Sequence, residues 1–351
     1  MRIQVHINHP AHVHLFKNFI WTMEKRGHEV LILASKRNLT YELLDHYKFN
    51  YIKIGEYGNT NSQKILNVPL IDFKAYTKIR KEKPDIFVGM GSIVNAHVSF
   101  LLNRPCINLT QTEHSVAQYK LWAPFTDTIL TPNSFRRNLG RKQIRYNGFH
   151  ELAYLHPNWF QPDVTVLDTL GLDKNELIII LRFVSWTATH DTGQHGIKDK
   201  ISLVKELSNY GKVFITSENI LPDYLNNYKL NLAYEKIHDL LYYASLYVGE
   251  GGTMTSESAA LGTHSVLIST EAKNCGVFYD QRKYGLTWFY EEDYNAINMI
   301  TKLLSIKNLW QDGKRKRERM LKDKIDVTQF LIDYIENYPI DQHNFTKQHF
   351  K

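Results

Sequence analysis

Cysteine is the rarest residue type in this chain of 351 residues, which contains only Cys106 and Cys275. Two thiols exclude a disulfide framework and a paired-cysteine metal site, and they favour a reducing compartment, so we expect a cytoplasmic location. Long apolar runs are also missing, because polar residues interrupt even the best candidate, and this predicts no transmembrane helix. The first seven residues alternate as in a strand and do not resemble a signal peptide.

Three nucleotide-related motifs are absent as well. The chain has no Gly-x-Gly-x-x-Gly and no Gly-x-x-x-x-Gly-Lys-Ser/Thr, which argues against nicotinamide or flavin enzymes and against P-loop ATPases. No Asp-x-Asp pair follows a predicted strand, so we expect neither a bound metal nor another cofactor. The net charge of +7 suits an anionic substrate or an anionic membrane surface. Without an organised basic motif, it does not predict a nucleic-acid partner.

The chain instead repeats a strand–loop–helix pattern, beginning with Ile3, Val5 and Ile7 and restarting at the apolar run 177–181. Alternating strands and helices predict parallel sheets covered on both faces. We therefore predict an α/β protein with two Rossmann-like domains whose sheets face each other across a cleft. The predicted parts are an N-terminal Rossmann-like domain at 1–150, a linker near 147–173, a C-terminal Rossmann-like domain at 174–324, and a C-terminal helix and tail at 325–351 that pack back on the first domain.

Within this pattern, we predict a loop at 55–69, a helix at 72–83 and a short helix at 135–139 capped by Ser134.

The segment 248–266 is the sharpest local signal. A strand ends in Gly249, and Gly251, Gly252 and Thr253 lead directly into a predicted helix that contains Glu257. Glycines allow a ligand to approach the backbone, and the start of a helix favours a phosphate. Glu257 could accept hydrogen bonds from a ribose. The alternative is a tight turn in which Glu257 only complements the helix dipole.

The loop after the first strand contains His9, His12 and His14. It lies at the carboxyl end of a parallel strand, where open α/β sheets bind ligands. A neutral imidazole there could take the proton of an acceptor hydroxyl. Helix capping, supporting hydrogen bonds and a metal triad are the alternatives.

Glu113 and His114 follow another short strand. Glu113 could be a base oriented by His114, or it could cap the next helix.

A further candidate segment follows the first strand of the second half. Arg182 could neutralise a diphosphate, Trp186 could stack on a sugar or base, and His190 with its neighbour Asp191 could act as an acid–base pair. Ser217 ends the next strand at the same edge. A surface ion pair for Arg182 and core packing for Trp186 are the alternatives.

The last candidate is a basic run. Seven of the eleven residues at 314–324 are Lys or Arg, which predicts either contact with an anionic membrane or a solvated helix face.

Gly-Gly-Thr followed by Glu257 and Ala-Leu-Gly-Thr resembles the nucleotide-sugar motif of GT-B glycosyltransferases. It is similar to the motif of muramyl-pathway N-acetylglucosaminyltransferases and UDP-N-acetylglucosamine 2-epimerases. The resemblance implies that Gly251, Gly252 and Thr253 contact the diphosphate and that Glu257 holds the ribose. The preceding stretch 234–241 resembles the same families, where the backbone reads the base, and this implicates Ile237 and His238.

The chain also resembles an uncharacterised archaeal and bacterial family of GT-B-like proteins over about residues 1–290. The shared marks are Pro-x-His-Val-His at 10–14, Glu-Lys-Arg-Gly-His-Glu-Val at 24–30, Lys-Pro-Asp at 83–85, Gly-Ser at 91–92, Thr-Glu-His at 112–114 and Thr-Pro at 131–132.

These resemblances imply transfer of a sugar from a nucleotide diphosphate donor, most simply a UDP-sugar, to a hydroxyl of a surface glycan or lipid-linked saccharide. The base would be His12 or His14, with Glu113 as a second choice, and Arg182 would stabilise the leaving diphosphate. The remaining contacts to the acceptor would come from four residues: His9, His114, Trp186 and His190. The implied reaction needs no metal.

Two rival functions remain. One is a UDP-N-acetylhexosamine 2-epimerase, but Leu-Arg-Phe-Val-Ser-Trp at 181–186 stands where that family has His-Arg-x-Glu-Asn, and Gly91-Ser92 replaces its Gly-Asp. The other is a non-catalytic protein that binds a nucleotide sugar or glycan.

Overall fold

The computed structural model describes residues 1–58, 60–184 and 196–339, which form two compact units. The first unit comprises Met1–Tyr154 together with the segment that begins at Ile325, and the second unit comprises Leu155–Lys324. Among the described residues, none of the helices combines the length and hydrophobicity that crossing a bilayer requires.

The strands of the described residues are β1 (Arg2–Ile7), β2 (Glu29–Ser35), β3 (Tyr51–Gly55), β4 (Ile86–Met90), β5 (Cys106–Leu109), β6 (Thr128–Pro132), β7 (Gln143–Tyr146), β8 (Ile178–Phe183), β9 (Lys212–Ser217), β10 (Leu246–Gly249), β11 (His264–Ile268) and β12 (Thr287–Tyr290).

The α-helices of the same residues are α1 (Pro10–Lys25), α2 (Thr40–His46), α3 (Asn61–Ile79), α4 (Ile93–Leu102), α5 (Val116–Trp122), α6 (Leu152–Leu155), α7 (Thr165–Leu170), α8 (Lys200–Ser208), α9 (Ile237–Tyr243), α10 (Gly252–Ala260), α11 (Gly276–Lys283), α12 (Asp293–Leu304), α13 (Leu309–Asp323) and α14 (Val327–Glu336).

Each unit is built on one parallel sheet. The first has seven strands in the order β3-β2-β1-β4-β5-β6-β7, and the second has five in the order β12-β11-β10-β8-β9. In the central strand β1, Val5 pairs with Ile32 on one side and Val88 on the other. Burial on both faces explains why the strands read as apolar runs in the sequence. The predicted α/β class with two parallel sheets is confirmed.

Helix α14 packs against α1 within the first unit. The Thr328 hydroxyl donates to the Ala153 carbonyl at 2.6 Å, and the Tyr334 hydroxyl donates to Thr128 Oγ1 at 3.1 Å. Glu336 accepts from Arg26 at 2.6 Å. These contacts join the last described helix to the sheet of the first unit.

Two local predictions were wrong. The segment 61–71 is helical, because Thr60 and Gln63 form a capping box and Pro69 is accommodated inside α3. No helix forms at 135–139, where the Arg145 side chain instead holds the carbonyls of Phe135 and Arg137. The boundary between the two units, after Tyr154, lies within the predicted linker at 147–173, and this segment also contains α6 and α7.

The strands β7 and β12 were also missed, because each has only four residues and lies at the edge of its sheet.

Candidate functional site

The turn between β10 and α10 presents exposed backbone at the carboxyl edge of the second sheet. Gly251 is the N-cap of α10 in an extended conformation, and no side chain of the described residues caps the helix. A Cβ at Gly252 would lie 3.0 Å from Phe278 Cζ, and one at Gly251 would lie 3.4 Å from Val184 Cγ1. Close packing therefore favours glycine at position 252, whereas a Cβ at position 251 would make only ordinary contact. The first N–H groups of this nine-residue helix are available to an anion.

Arg182 and Ser217 lie at the same edge of this sheet. Arg182 pairs with Gly249 across the β8–β10 ladder, and Ser217 pairs with Phe183 across the β8–β9 ladder. The Arg182 guanidinium donates to Glu218 Oε1 at 2.7 Å, which matches the ion-pair alternative. A diphosphate at this edge would compete with Glu218 for the guanidinium.

His238 and Glu257 form a buried pair. His238 Nε2 lies 3.0 Å from Glu257 Oε1, and both side chains are almost inaccessible to solvent. From the sequence, His238 and Glu257 are predicted to have separate roles, one at the base and one at the ribose. The structure couples them, since a change at either residue alters the hydrogen bonding of the other. Ile237 is the first residue of α9 and precedes this pair directly, while Thr253 is exposed in the first turn of α10.

Glu250 is a residue that the sequence analysis missed. Its buried carboxylate accepts from the backbone N–H of Val184 at 2.8 Å and from that of Ile197 at 2.9 Å, and Lys200 Nζ lies 3.6 Å away. It therefore fixes the chain after β8 against the turn that precedes α10. Its position between Gly249 and Gly251, directly after a strand, was an available signal.

The three histidines of the first loop have three different environments. His9 is the N-cap of α1, and its Nδ1 accepts from the backbone N–H of Ala11 at 3.1 Å. His14 is buried in α1 and stacks on Tyr154, with ring centroids 5.5 Å apart. His12 lies between them, half-buried, with its ring 5.8 Å from that of His9. Capping and packing thus account for His9 and His14 but not for His12.

His12 is held neutral by its surroundings. Loss of hydration is the main cause that lowers its pKa well below the usual histidine value, and the neighbouring His9 imidazole and the Arg37 cation lower the pKa further. Its Nδ1 atom is buried and has no hydrogen-bond partner among the described residues. A neutral imidazole can accept a proton, which is the property required of a general base.

His150 was missed because it follows the short strand β7 inside the segment interpreted as a linker. It is 3% exposed, and within the described part of the chain neither ring nitrogen has a hydrogen-bond partner. Burial lowers its pKa to about 3. Gln111 positions it, accepting from the His150 backbone N–H at 3.0 Å and donating to Glu151 at 2.8 Å. The sequence signal was Gly148-Phe149-His150-Glu151 after a strand.

Glu113 is buried at the carboxyl end of β5. Its carboxylate accepts from the backbone N–H of Arg136 at 3.3 Å, and its carbonyl accepts from Arg137 Nη1 at 3.1 Å. It therefore holds the loop after β6 and does not cap α5, whose N-cap is Ser115. His114 is half-buried beside it, and its carbonyl accepts from the backbone N–H of Val116 at 2.8 Å.

Two predicted acceptor contacts, Trp186 and His190, lie outside the described residues. In the parts of the chain that are described, no three His, Cys, Asp or Glu side chains are grouped as ligands for a metal ion.

The basic run at 314–324 lies in α13 and is largely engaged within the second unit. Lys314 donates to the carbonyls of Tyr242 and Leu261 at 2.6 and 2.8 Å, and Arg317 donates to those of Ala260 and Leu155 at 2.8 and 3.0 Å. Three further members pair with carboxylates: Arg315 and Lys316 with Asp312, and Lys324 with Asp280. Most of the run is therefore not a free cationic face.

Comparison with solved structures identifies the fold. The UDP-GlcNAc 2-epimerase of Neisseria meningitidis bound to UDP-GlcNAc aligns with a TM-score of 0.59 over 92% of this chain and 100% of its own, at 13% identity. The glycosyltransferase VinC in complex with dTDP aligns with a TM-score of 0.61 over 99% and 100%, at 11% identity. At such identities the likeness establishes the fold, which is that of the GT-B group.

Sequence comparison identifies the family to which the chain belongs. The family described as "Protein of unknown function (DUF354)" matches residues 1–339, and the chain belongs to it. The uncharacterized protein MJ0665 of Methanocaldococcus jannaschii is 27% identical over 348 residues, covering 96% of this chain and 98% of its own. The resemblance to an uncharacterised family of GT-B-like proteins is confirmed.

Proposed function

We propose that this protein is a glycosyltransferase that moves a sugar from a nucleotide diphosphate donor, most simply a UDP-sugar, to a hydroxyl of a surface glycan or lipid-linked saccharide. The second unit binds the donor, and the first unit supplies the base. The observation that carries the proposal is the uncapped start of α10 after Gly251, beside Arg182 and one turn before the His238–Glu257 pair.

The donor part rests on the chemistry of this edge. The N–H groups and dipole at the start of α10 stabilise negative charge, and this charge increases on the diphosphate as the bond to the sugar breaks. We assign the leading role to these N–H groups because Glu218 competes for Arg182. Glu257, oriented by His238, would accept hydrogen bonds from the ribose. The solved relatives that hold UDP-GlcNAc and dTDP support a nucleotide donor.

The acceptor part rests on His12. Among the three histidines of its loop, it is the one whose role in the fold is not accounted for, and its lowered pKa keeps it in the proton-accepting form. Glu113 is the second choice, since its carboxylate is already used to hold the loop after β6. His9, His114, Trp186 and His190 remain the proposed acceptor contacts, with His14 as a support for the loop.

The reaction as proposed needs no metal, because the helix start and Arg182 would neutralise the leaving group. We place it in the cytoplasm, because a chain with only two cysteines suits a reducing compartment.

An epimerase is the alternative on the same fold. The position after β4 weighs against it: Ser92 stands where that family has its acid, and its hydroxyl caps α4 and contacts His6 at 2.7 Å. A hydroxyl engaged in this way does not replace a carboxylic acid in proton transfer.

The first test is thermal shift of the full chain with UDP, GDP, CMP, ADP and dTDP in the presence of EDTA. At about 100 times the dissociation constant, a ligand adds about 2.7 kcal/mol of stability. We expect one nucleoside diphosphate to shift the melting temperature selectively. Glu257→Gln should abolish the shift, whereas Glu318→Ala, an exposed glutamate on α13, should retain it.

The result then selects the sugars for turnover assays. No response to any of the five nucleotides would refute the donor site. Conversion of the nucleotide sugar without an acceptor would indicate the epimerase instead, and binding without any turnover would indicate the non-catalytic protein.

A further inference from the structure

Helix α3 has apolar side chains on the face that is turned to solvent. Leu66, Leu70 and Phe73 are 72%, 60% and 66% exposed, and their i, i+4, i+7 spacing places them in one stripe along the helix. The opposite face is already used, because Ile71 and Ala75 are buried in the core of the first unit. The stripe is therefore not the core-facing side of an amphipathic helix.

Such a stripe is unusual on a helix face that is exposed to water. Exposed apolar residues are common one at a time, but a contiguous apolar patch with charged residues beside it marks an interaction surface. Burial of the stripe would be favourable, since transfer of apolar surface from water is the main driving force of association.

The stripe borders a cationic pocket. This pocket of about 430 Å³ lies beside the carboxyl end of β3 and is lined by Leu70, Lys36 and Lys74 among others. Lys74 Nζ lies 3.7 Å from the Cβ position of Gly55, which puts its charge at the end of that strand. In the described part of the chain neither lysine forms an ion pair, and Glu56 is the single acidic residue in the lining.

Further cationic residues lie in the last turn of α3 and directly after it. Lys78, Arg80 and Lys81 follow Lys74 and are exposed. Apolar side chains beside unpaired lysines match a surface with an apolar interior and negatively charged headgroups. A protein partner would need carboxylates and an apolar patch in the same register, whereas an anionic bilayer offers both everywhere.

We propose that the stripe (Leu66, Leu70 and Phe73) and the adjoining Lys36–Lys74 pocket dock the first unit on an anionic lipid bilayer. The apolar side chains enter the region below the headgroups, and the two lysines contact lipid phosphates. The contact site is thus α3 and not the basic run of α13, whose lysines and arginines mostly bind carbonyls and carboxylates of their own unit. This proposal does not depend on the proposed sugar transfer.

The test is co-sedimentation of the full chain with vesicles of phosphatidylcholine alone and of phosphatidylcholine with 30% phosphatidylglycerol, at low salt. We expect binding to the anionic vesicles only. Leu70→Glu and Phe73→Glu should each reduce the bound fraction at least fivefold, and Lys36→Gln with Lys74→Gln should reduce it to a similar extent. Free inorganic phosphate at millimolar concentration should not displace the protein, because it cannot replace the apolar contact.

The matched controls lie in the second unit. Tyr294→Glu alters a side chain that is 67% exposed, and Lys307→Gln removes an exposed charge. Both should bind vesicles as the parent chain does. Equal binding by Leu70→Glu, binding to neutral vesicles, displacement by free phosphate or no binding at all would each overturn the proposal. The nucleotide-induced thermal shift should be unchanged in every stripe variant, so failure here and failure of the proposed donor site are separable.

Discussion

At the scale of single residues, the loop with His9, His12 and His14 shows how much of a site the local sequence can predict. Three imidazoles lie within six residues directly after β1, and this pattern predicts a site at the carboxyl end of that strand. The sequence could not distinguish them, because the partner that fixes His14 is Tyr154, 140 residues later in the chain. The same limit applies to His238 and Glu257, whose hydrogen bond joins two different helices.

His12→Gln tests the proposed base. Glutamine keeps a polar side chain but cannot take a proton near neutral pH, so turnover should fall about 10²- to 10⁴-fold. The measurement is release of nucleoside diphosphate from the sugar donor that the thermal-shift panel selects. Nucleotide binding should be unchanged, because it belongs to the second unit.

The matched control is His46→Gln, which alters an exposed histidine of the same unit and should retain full turnover. If His12→Gln retains it too, the base is another group, and Glu113 is the next to test.

At the scale of elements, a helix or strand could be predicted from the sequence where the contacts that determine it are local. The strand–glycine–helix order at β10 and α10 was predictable, because a glycine turn and an apolar strand carry the information in adjacent residues. The helical start of α3 was not, because Pro69 obscured it although Thr60 and Gln63 form its capping box. The helix predicted at 135–139 does not form because Arg145, a residue of the next strand, binds the carbonyl of Phe135.

Gly251→Ala tests the helix start as a phosphate site. The backbone at Gly251 has a negative φ that alanine can adopt, and the added Cβ meets Val184 only at van der Waals distance. The fold should therefore persist, while the methyl group keeps a phosphate from the first N–H groups of α10. We expect the dissociation constant of the preferred nucleoside diphosphate to rise at least tenfold in calorimetry.

The corresponding free nucleoside serves as the control, because it has no phosphate and should bind equally weakly to both proteins. Unchanged affinity for the diphosphate would mean that the phosphates lie elsewhere.

At the scale of the whole molecule, two parallel sheets were predictable because strands buried on both faces carry continuous apolar runs. The two units differ in how many histidines have a pKa lowered by burial, and no sequence pattern predicts this difference. Burial lowers the pKa of His6 and His150 to about 3 and that of His12 well below its usual value, all in the first unit. In the second unit, burial lowers the pKa of His264 to about 4.

These shifts have a definite sign. A histidine whose pKa is depressed by folding binds its proton mainly in the unfolded chain, so its contribution to stability is lost as the pH falls below about 6.5. Each histidine that stays neutral in the fold costs about 2 kcal/mol between pH 6.5 and pH 5. His97 acts in the opposite direction, because its hydrogen bond to Asp72 raises its pKa.

Among the described histidines, three in the first unit and one in the second have a pKa lowered in this way. The first unit should therefore lose more free energy of unfolding than the second between pH 6.5 and pH 5. Hydrogen exchange at increasing urea, read from peptides of β1 and β8, measures the two units separately. His150→Phe should reduce the loss in the first unit by about 2 kcal/mol and leave the second unit unchanged, because phenylalanine has no proton to bind. Equal losses in the two units, or an unaltered loss in the variant, would show that these histidines do not stay neutral in the folded first unit.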